Sequence, residues 1–161
     1  MTHRLGLLRP EEVPARRDEL IALCAQAFAG APWHDTPLGA VRTADRLLES
    51  AARGDGFHAV TALGPDGELL GLAAGWTGTA LSGAEPAFEL AELLVAPAHQ
   101  GRGLGRALHD ALLVIAEAGP ALLMTLDVPE LTDRYARWGW RVVDRRRPGR
   151  EERDYVVMRQ G

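Results

Sequence analysis

The sequence predicts one α/β (α+β) domain, with a mixed, mostly antiparallel central sheet of about seven strands and helices on both faces. Three observations lead to this fold class. Two helical patterns come first, and two strand patterns then flank the turn Gly-Pro-Asp-Gly at 64–67, a hairpin signal. A strand–helix–strand unit follows over 87–128, which adds a parallel pair to the sheet. With 161 residues and no internal repeat or linker, we expect a single domain over 1–161.

Apolar spacing and end signals define the helices. In the first, Val13, Leu20 and Cys24 recur at helical spacing, so Cys24 is expected to be buried and inert. The second begins with Thr36 as N-cap before Pro37. Its inward side chains are predicted to be Leu38, Val41, Leu48 and Ala51. The predicted helices are 11–29, 36–54, 104–118 and 129–139.

The strands are shorter runs bounded by glycine, proline or polar residues. The run at 121–128 is almost entirely apolar, which is typical of a strand buried on both faces. An arginine-rich loop joins the last two strands. The predicted strands are 3–8, 57–63, 68–76, 87–96, 121–128, 140–144 and 155–159.

Charge composition excludes several classes of function. All 18 basic residues are arginines, so a Schiff-base lysine and a P-loop lysine are both excluded. Six arginines between 141 and 153 give that segment a local charge of +3, so the remainder carries −7. Because the rest of the chain is so acidic, we do not expect this protein to bind nucleic acids.

The composition also indicates the cellular compartment and the kinds of partner to expect. A single cysteine cannot form an intramolecular disulfide, the first residues do not resemble a signal peptide, and no apolar run approaches about 20 residues. We therefore expect a cytoplasmic protein without a membrane partner. The five histidines share no metal-ligand spacing, so no metal site is predicted.

The segment that carries chemistry is the glycine-rich turn at 100–106, between a strand and a helix. Its glycines allow the backbone N–H groups to face a ligand, and the helix N-terminus adds partial positive charge. Arg102 and Arg106 add full charges. The pattern suits a pyrophosphate, although a tight turn alone would show the same glycines. The spacing Gly101-Gly103-Gly105 fits neither a P-loop nor a dinucleotide fingerprint.

The segment QGRGLGRA resembles the acetyl-coenzyme A signature of the GNAT superfamily of N-acetyltransferases, Gln/Arg-x-x-Gly-x-Gly/Ala. Gln100, Gly103 and Gly105 fill its positions without a gap. Residues 135–140, YARWGW, are similar to the family's Tyr-x-x-x-Gly-Phe segment, and the order of elements agrees from 3 to 159. Where relatives often have an asparagine about seven residues before the tyrosine, this chain has Val128.

This resemblance implies how acetyl-coenzyme A would bind. The sheet would open beside the strand before the loop, and the backbone of Leu93, Leu94 and Val95 would meet the pantetheine. The pyrophosphate would lie on the loop formed by Gln100, Gly101, Arg102, Gly103, Leu104, Gly105 and Arg106. The arginines at 141–153 would meet the cofactor's 3′-phosphate or form only a solvated hairpin.

The resemblance also implies the catalytic groups. Tyr135 falls on the family's tyrosine position and would protonate the departing thiolate, unless it only packs. Glu89 falls on a position where relatives often carry a carboxylate base, with Glu92 as the second candidate. Strand alternation puts the two carboxylates on opposite faces, and a bulge would exchange the faces. Either glutamate could instead be a solvated charge.

The loop between the first two helices commonly overhangs the acceptor site in this family. Trp33, His34 and Asp35 are therefore substrate-contact candidates, or else a capping turn. The expected activity is acetyl transfer to a primary amine of a small molecule or peptide by direct attack. A non-catalytic acyl-coenzyme A sensor on the same fold is the alternative. His109 is expected on the exposed side of its helix. Because many relatives dimerise, the resemblance also implies a possible homodimer.

Overall fold

The computed structural model describes residues 3–149 and 153–161, which form a seven-stranded sheet in the order β1-β2-β3-β4-β5-β7-β6. All neighbouring strands are antiparallel except β4 and β5. The mixed, mostly antiparallel sheet predicted from the sequence is therefore confirmed. The strands are β1 (Arg4–Leu7), β2 (His58–Leu63), β3 (Leu69–Gly78), β4 (Ala87–Val95), β5 (Ala121–Leu126), β6 (Arg141–Arg146) and β7 (Tyr155–Gln160).

Four α-helices connect these strands. They are α1 (Arg17–Phe28), α2 (Pro37–Arg53), α3 (Leu104–Ile115) and α4 (Pro129–Arg137). The first begins later than the predicted residue 11, because Pro10 and Pro14 each start a short 3₁₀ turn and provide no N–H for a continuous helix. No described helix is both long enough and apolar enough to cross a membrane.

The ends of α2 agree with those predicted from the sequence, whereas the residues on its buried face differ from the predicted ones. Thr36 Oγ1 accepts a hydrogen bond from the N–H of Gly39 at 3.0 Å, and Gly54 ends the helix with a φ of 74°. Leu38, expected inside, is 57% exposed. The buried stripe consists largely of small residues, which a search for large apolar side chains overlooks: Ala40, Thr43, Ala44, Leu47, Ser50 and Ala51.

Each face of the sheet has its own core. One core packs α1 and α2 against the sheet, around side chains such as Leu20, Leu47 and Leu94. The other packs α3 against the opposite face, around Leu108 and Leu112. Cys24 is buried in the first core, and burial raises the pKa of its thiol to about 12, so the thiol is inert at neutral pH as expected.

Candidate functional site

The sheet opens between β4 and β5. These two parallel strands are paired only at Phe88 with Ala121 and at Glu89 with Leu122. Beyond these pairs β5 continues along β7 to Leu126, while β4 continues along β3 to Val95. A wedge-shaped gap therefore separates the C-terminal halves of two neighbouring strands.

Backbone groups of β4 face this gap. The N–H of Ala96 donates to the carbonyl of Leu70 at 2.8 Å. The backbone N–H and C=O groups of alternate residues before Ala96, including Leu94, therefore point toward β3. The N–H and C=O groups of Leu93 and Val95 consequently point into the gap. The side-chain Nε2 of Gln100 donates to the Val95 carbonyl at 2.9 Å, which anchors the following loop against the end of the strand.

That loop exposes backbone at the start of α3. Gly101 and Gly103 have φ values of 76° and 81°, and a Cβ at either position would meet no atom within 4 Å. Gly103 is the N-cap and offers no side-chain cap, so the first N–H groups of α3 are free to receive an anion. Leu104 is buried in the second core and fixes the helix start, and Gly105 lies against Val95.

The two arginines of the loop differ in their partners. Arg106 Nε donates to both carboxylate oxygens of Asp110 at 3.1 Å, and its guanidinium lies 5.6 Å from the centre of the Trp138 ring. Arg102 is exposed, and within residues 3–149 and 153–161 it has no recorded ion pair. Arg102 therefore carries the less compensated positive charge at the loop.

His109 is buried, and the expectation of an exposed side chain is wrong. Its ring is 1% exposed because Trp138 and Trp140 cover that side of α3, at 4.8 and 5.9 Å between ring centres. Trp140 Nε1 donates to His109 Nε2 at 2.9 Å, and His109 Nδ1 lies 2.7 Å from Asp110 Oδ1. An indole nitrogen only donates, so Nε2 carries no proton and Nδ1–H donates to the carboxylate.

The far wall of the gap contains an unsatisfied polar group. Thr125 on β5 is buried, and its hydroxyl has no hydrogen-bond partner within the described part of the chain. Val128 is the N-cap of α4 and makes no side-chain cap, as its apolar side chain requires. The opening thus combines backbone groups at the edge of β4 with an exposed glycine loop, which fits an extended polar ligand arm ending in an anion.

A bulge in β4 changes the faces of its glutamates. Ala74 pairs with Glu92 and Gly75 with Leu90, so one residue of β4 is extra. Glu89 and Glu92 therefore lie on the same face, that of α1 and α2, and the opposite faces expected from simple alternation are wrong. Both carboxylates are buried, at 6% and 7% exposure.

Glu92 is paired with a cation from α2. Arg46 Nη2 lies 2.8 Å from Glu92 Oε1, and the arginine side chain is 57% exposed. Burial raises the pKa of the Glu92 carboxyl, Arg46 opposes this through its charge and hydrogen bond, and the charge of Asp35 adds to the rise. Sequence reasoning missed Arg46, because nothing local to 46 or 92 indicates their contact.

Glu89 is held by a peptide group. The N–H of Leu81, in the loop between β3 and β4, donates to Glu89 Oε2 at 2.9 Å. Gly78 lies over the same carboxylate, since a Cβ there would be 3.2 Å from Glu89 Oε1. The carboxylate accepts this neutral donor and forms no ion pair among the described residues.

Tyr135 lies on α4, against the second core. Its ring contacts Trp138 and Trp140 edge-on, with ring centres 5.6 and 6.3 Å away. Burial raises the pKa of Tyr135 to about 12; Arg134 acts against this, and the negative charge of Glu92 adds to it. The hydroxyl therefore stays protonated at neutral pH, as a proton donor requires.

The loop between α1 and α2 lies on the face of the glutamates. Trp33 is half-buried and packs edge-on against Phe28 at 5.5 Å, and Arg153 Nη1 donates to the Trp33 carbonyl at 2.8 Å. His34 is exposed with a φ of 49°, and the Asp35 carboxylate accepts the N–H of Thr36 at 2.8 Å. Asp35 thus also helps to begin α2.

The arginine-rich hairpin makes many internal contacts. Arg145 pairs with Asp127, and Arg147 pairs with Asp154 at 2.8 Å. Arg146 reaches across to the carbonyls of Ala80 and Leu81. These arginines connect loops of the protein. Arg150, Glu151 and Glu152 lie outside the described residues. Among the described residues no three His, Cys, Asp or Glu side chains gather as a metal site.

The family follows from a direct comparison. The model of the acetyltransferase (GNAT) family matches residues 16–137, which include the gap, the glycine loop and Tyr135. The chain belongs to the GNAT family of acetyltransferases. No curated protein matches the sequence significantly.

Solved structures show the same fold. A protein assigned to the GNAT family from Desulfovibrio desulfuricans superposes with a TM-score of 0.77 at 21% identity, covering 98% of each chain. The PaiA N-acetyltransferase of Thermoplasma acidophilum, solved with coenzyme A, gives a TM-score of 0.69 at 16% identity over 99% of each chain. A histone acetyltransferase HPA2 and related acetyltransferase from Corynebacterium glutamicum gives 0.72 at 14%, covering 99% of this chain and 96% of the other.

Proposed function

We propose that this GNAT protein transfers an acetyl group from acetyl-coenzyme A to a primary amine by direct attack within a ternary complex. The observation that carries the proposal is the gap between β4 and β5. The glycine loop lies at one end of this gap, Glu89 lies where the two strands are last paired, and the charge of Glu92 acts on Tyr135.

The residues of the gap fit the cofactor in chemical type. Leu93 and Val95 would bind the pantetheine through backbone groups. The loop from Gln100 to Arg106 would bind the pyrophosphate through N–H groups and the charge of Arg102. When bound, acetyl-coenzyme A supplies the thioester that an amine attacks.

Glu89 serves as the general base. A carboxylate beside the amine can accept the proton that the nitrogen loses as it attacks the thioester. Glu89 accepts only a neutral N–H among the described residues. Glu92 is already paired with Arg46 and would have to give up that ion pair to bind a proton. Glu92 is therefore assigned a structural role, in the ion pair that joins β4 to α2.

Tyr135 serves as the general acid. The amine nitrogen forms its bond to the acetyl carbon as the carbon–sulfur bond breaks. Tyr135 would donate its hydroxyl proton to the departing thiolate, and a proton from solvent would then restore the tyrosine. Burial keeps the hydroxyl protonated at neutral pH, so Tyr135 holds the proton that this role requires.

The acceptor is proposed to be a cationic amine of a small molecule or a peptide. Glu89, Glu92 and Asp35 lie on one face of the sheet. Among the described residues, Arg46 forms an ion pair with Glu92. Trp33 and Trp76 add apolar and aromatic surface next to this face. Such a pocket favours an ammonium group on an alkyl or aromatic body.

The experiment combines binding with turnover. Acetyl-coenzyme A should raise the melting temperature of the wild-type protein and of Tyr135→Phe alike. Thiol release with a panel of primary amines should fall roughly 100-fold in the variant. Absence of stabilisation by any acyl-coenzyme A would contradict the proposal. Stabilisation without thiol release from any amine would identify a sensor.

A further inference from the structure

The loop between β3 and β4, residues 79–86, is attached to the molecule from two sides. Arg146 of β6 donates from Nη1 to the Ala80 carbonyl at 2.8 Å and from Nη2 to the Leu81 carbonyl at 2.9 Å. On the other side the Leu81 N–H donates to Glu89. Among the described residues the other recorded hydrogen bonds of this loop are internal to it.

One peptide group joins the two attachments. The carbonyl of Ala80 and the N–H of Leu81 belong to the same planar peptide unit. Its oxygen accepts from a guanidinium and its hydrogen is donated to a carboxylate, so the two hydrogen bonds polarise each other. The second donor of Arg146 binds the Leu81 carbonyl, which belongs to the next peptide unit. The planar guanidinium therefore fixes two consecutive peptide units.

Arg146 is itself held in place. Its Nε lies 3.2 Å from Asp144 Oδ2, and its side chain is 31% exposed, so the guanidinium uses donors on both of its edges. The adjacent Arg147 makes a more exposed pair with Asp154 and has no recorded contact with the loop. Charge alone therefore does not distinguish the two arginines, whereas geometry does.

We propose that Arg146 is a positioning residue for the general base: through the peptide unit of Ala80 and Leu81 it fixes the carboxylate of Glu89 for proton abstraction. This inference rests on the proposed role of Glu89. Without the arginine, the loop loses its two long-range anchors. The carboxylate then loses the orientation of its donor, and the rate of the chemical step falls while the cofactor gap is unaffected.

The test is a double-mutant cycle with a matched control. Arg146→Ala should lower kcat roughly tenfold and leave the KM for acetyl-coenzyme A within about twofold. Arg147→Ala removes the same charge from the neighbouring position and should leave kcat near the wild-type value. In a Glu89→Gln background, Arg146→Ala should produce little further loss, because both substitutions act on one group.

Each outcome has a separate meaning. Equal behaviour of the Arg146 and Arg147 variants overturns the positioning role, and so does a full tenfold further loss in the Glu89→Gln background. If Glu89→Gln itself leaves turnover unchanged, the assignment of the base fails. Arg146→Lys, which retains the charge but lacks the fork, provides the same comparison if the alanine variant does not fold; a wild-type kcat for it would contradict the proposal.

Discussion

The proposed cofactor half of the site, residues 93–106, and the proposed acceptor half, on the face of Glu89 and Glu92, are built in different ways. In the cofactor half, backbone groups between 93 and 106 would contact the ligand. The hydrogen bond that anchors the loop joins Gln100 to Val95, five residues apart. In the acceptor half, charged side chains bring distant segments together. Arg46 reaches across 46 residues, Arg146 across 65 and 66, and Arg153 across 120.

This difference separates what the fold requires from what the acceptor requires. A pocket made of backbone N–H groups changes little when neighbouring side chains change, so it suits a cofactor common to a family. A pocket made of paired charges changes with each substitution and can be adapted to one acceptor. Variants of the two halves should therefore fail in different kinetic parameters.

The largest effect is expected for Glu89→Gln. Loss of the general base should lower kcat by at least roughly 100-fold, while the affinity for acetyl-coenzyme A, measured by calorimetry, stays the same. This would break only the acceptor half. Glu92→Gln is the matched control, because it removes the other carboxylate of the same face. A larger loss of kcat in Glu92→Gln would transfer the role of base to Glu92.

The next largest effect is expected in the cofactor half. Gly103→Ala places a side chain at a φ of 81°, so the backbone relaxes and the N–H groups at the start of α3 move. The Kd for acetyl-coenzyme A should rise roughly tenfold, with kcat at saturation largely retained. Gly54→Ala has a similar φ of 74° and equally open surroundings, far from the loop. An equal rise in Kd for Gly54→Ala would show a general loss of stability instead.

A smaller effect concerns pH and His109. Burial lowers the pKa of His109 against the opposing influence of Asp110, so the folded protein binds its proton at lower pH than the unfolded chain does. Below the ordinary pKa of about 6.5, unfolding therefore takes up a proton, and the free energy of unfolding should decrease as pH falls, by at most about 1.4 kcal/mol per pH unit.

Urea unfolding between pH 7.5 and 5.5 measures this dependence. His109→Gln retains an acceptor for the Trp140 N–H and a donor for Asp110 but does not titrate, so its curve should be flatter. His99→Gln changes a histidine outside this network and should follow the wild type. An unchanged slope in His109→Gln would contradict the role of this ring.

The smallest effect is expected at the start of α2, the helix that carries Arg46. Thr36→Ala removes the acceptor for the Gly39 N–H and should lower the free energy of unfolding by about 1 kcal/mol, with little change in kcat. Thr36→Ser retains the oxygen and should behave as the wild type in thermal unfolding. Equal losses in both variants would mean that the cap does not contribute.

The same division explains what the sequence could predict. The sheet, its seven strands and the glycine loop follow from local signals, such as Gly-Pro-Asp-Gly at 64–67 and Gln100-x-x-Gly103-x-Gly105. The ends of α2 follow equally from Thr36 and Gly54. In these cases each turn, loop or helix end is determined by residues that lie within it.

The failures arise where the determining partner is distant. Alternation cannot place Glu89 and Glu92, because the bulge depends on how β4 pairs with β3. His109 resembles a surface residue until Trp138 and Trp140 fold over it. Arg46 and Arg146 give no local sign of their contacts with 92 and 80–81. The contacts of the proposed acceptor half therefore give fewer local signals in the sequence than the glycine loop does.

The four tryptophans divide between the two halves in the same way. Trp138 and Trp140 lie with Arg106 and His109 beside the glycine loop. Trp76 lies opposite Glu89 on the neighbouring strand, and Trp33 packs against Phe28 in the loop between α1 and α2. Indole emission depends on the groups around the ring, so we expect each pair to respond to the binding of one of the two proposed substrates. A titration followed through Trp138→Phe or Trp33→Phe would assign each spectral change to the arrival of one substrate.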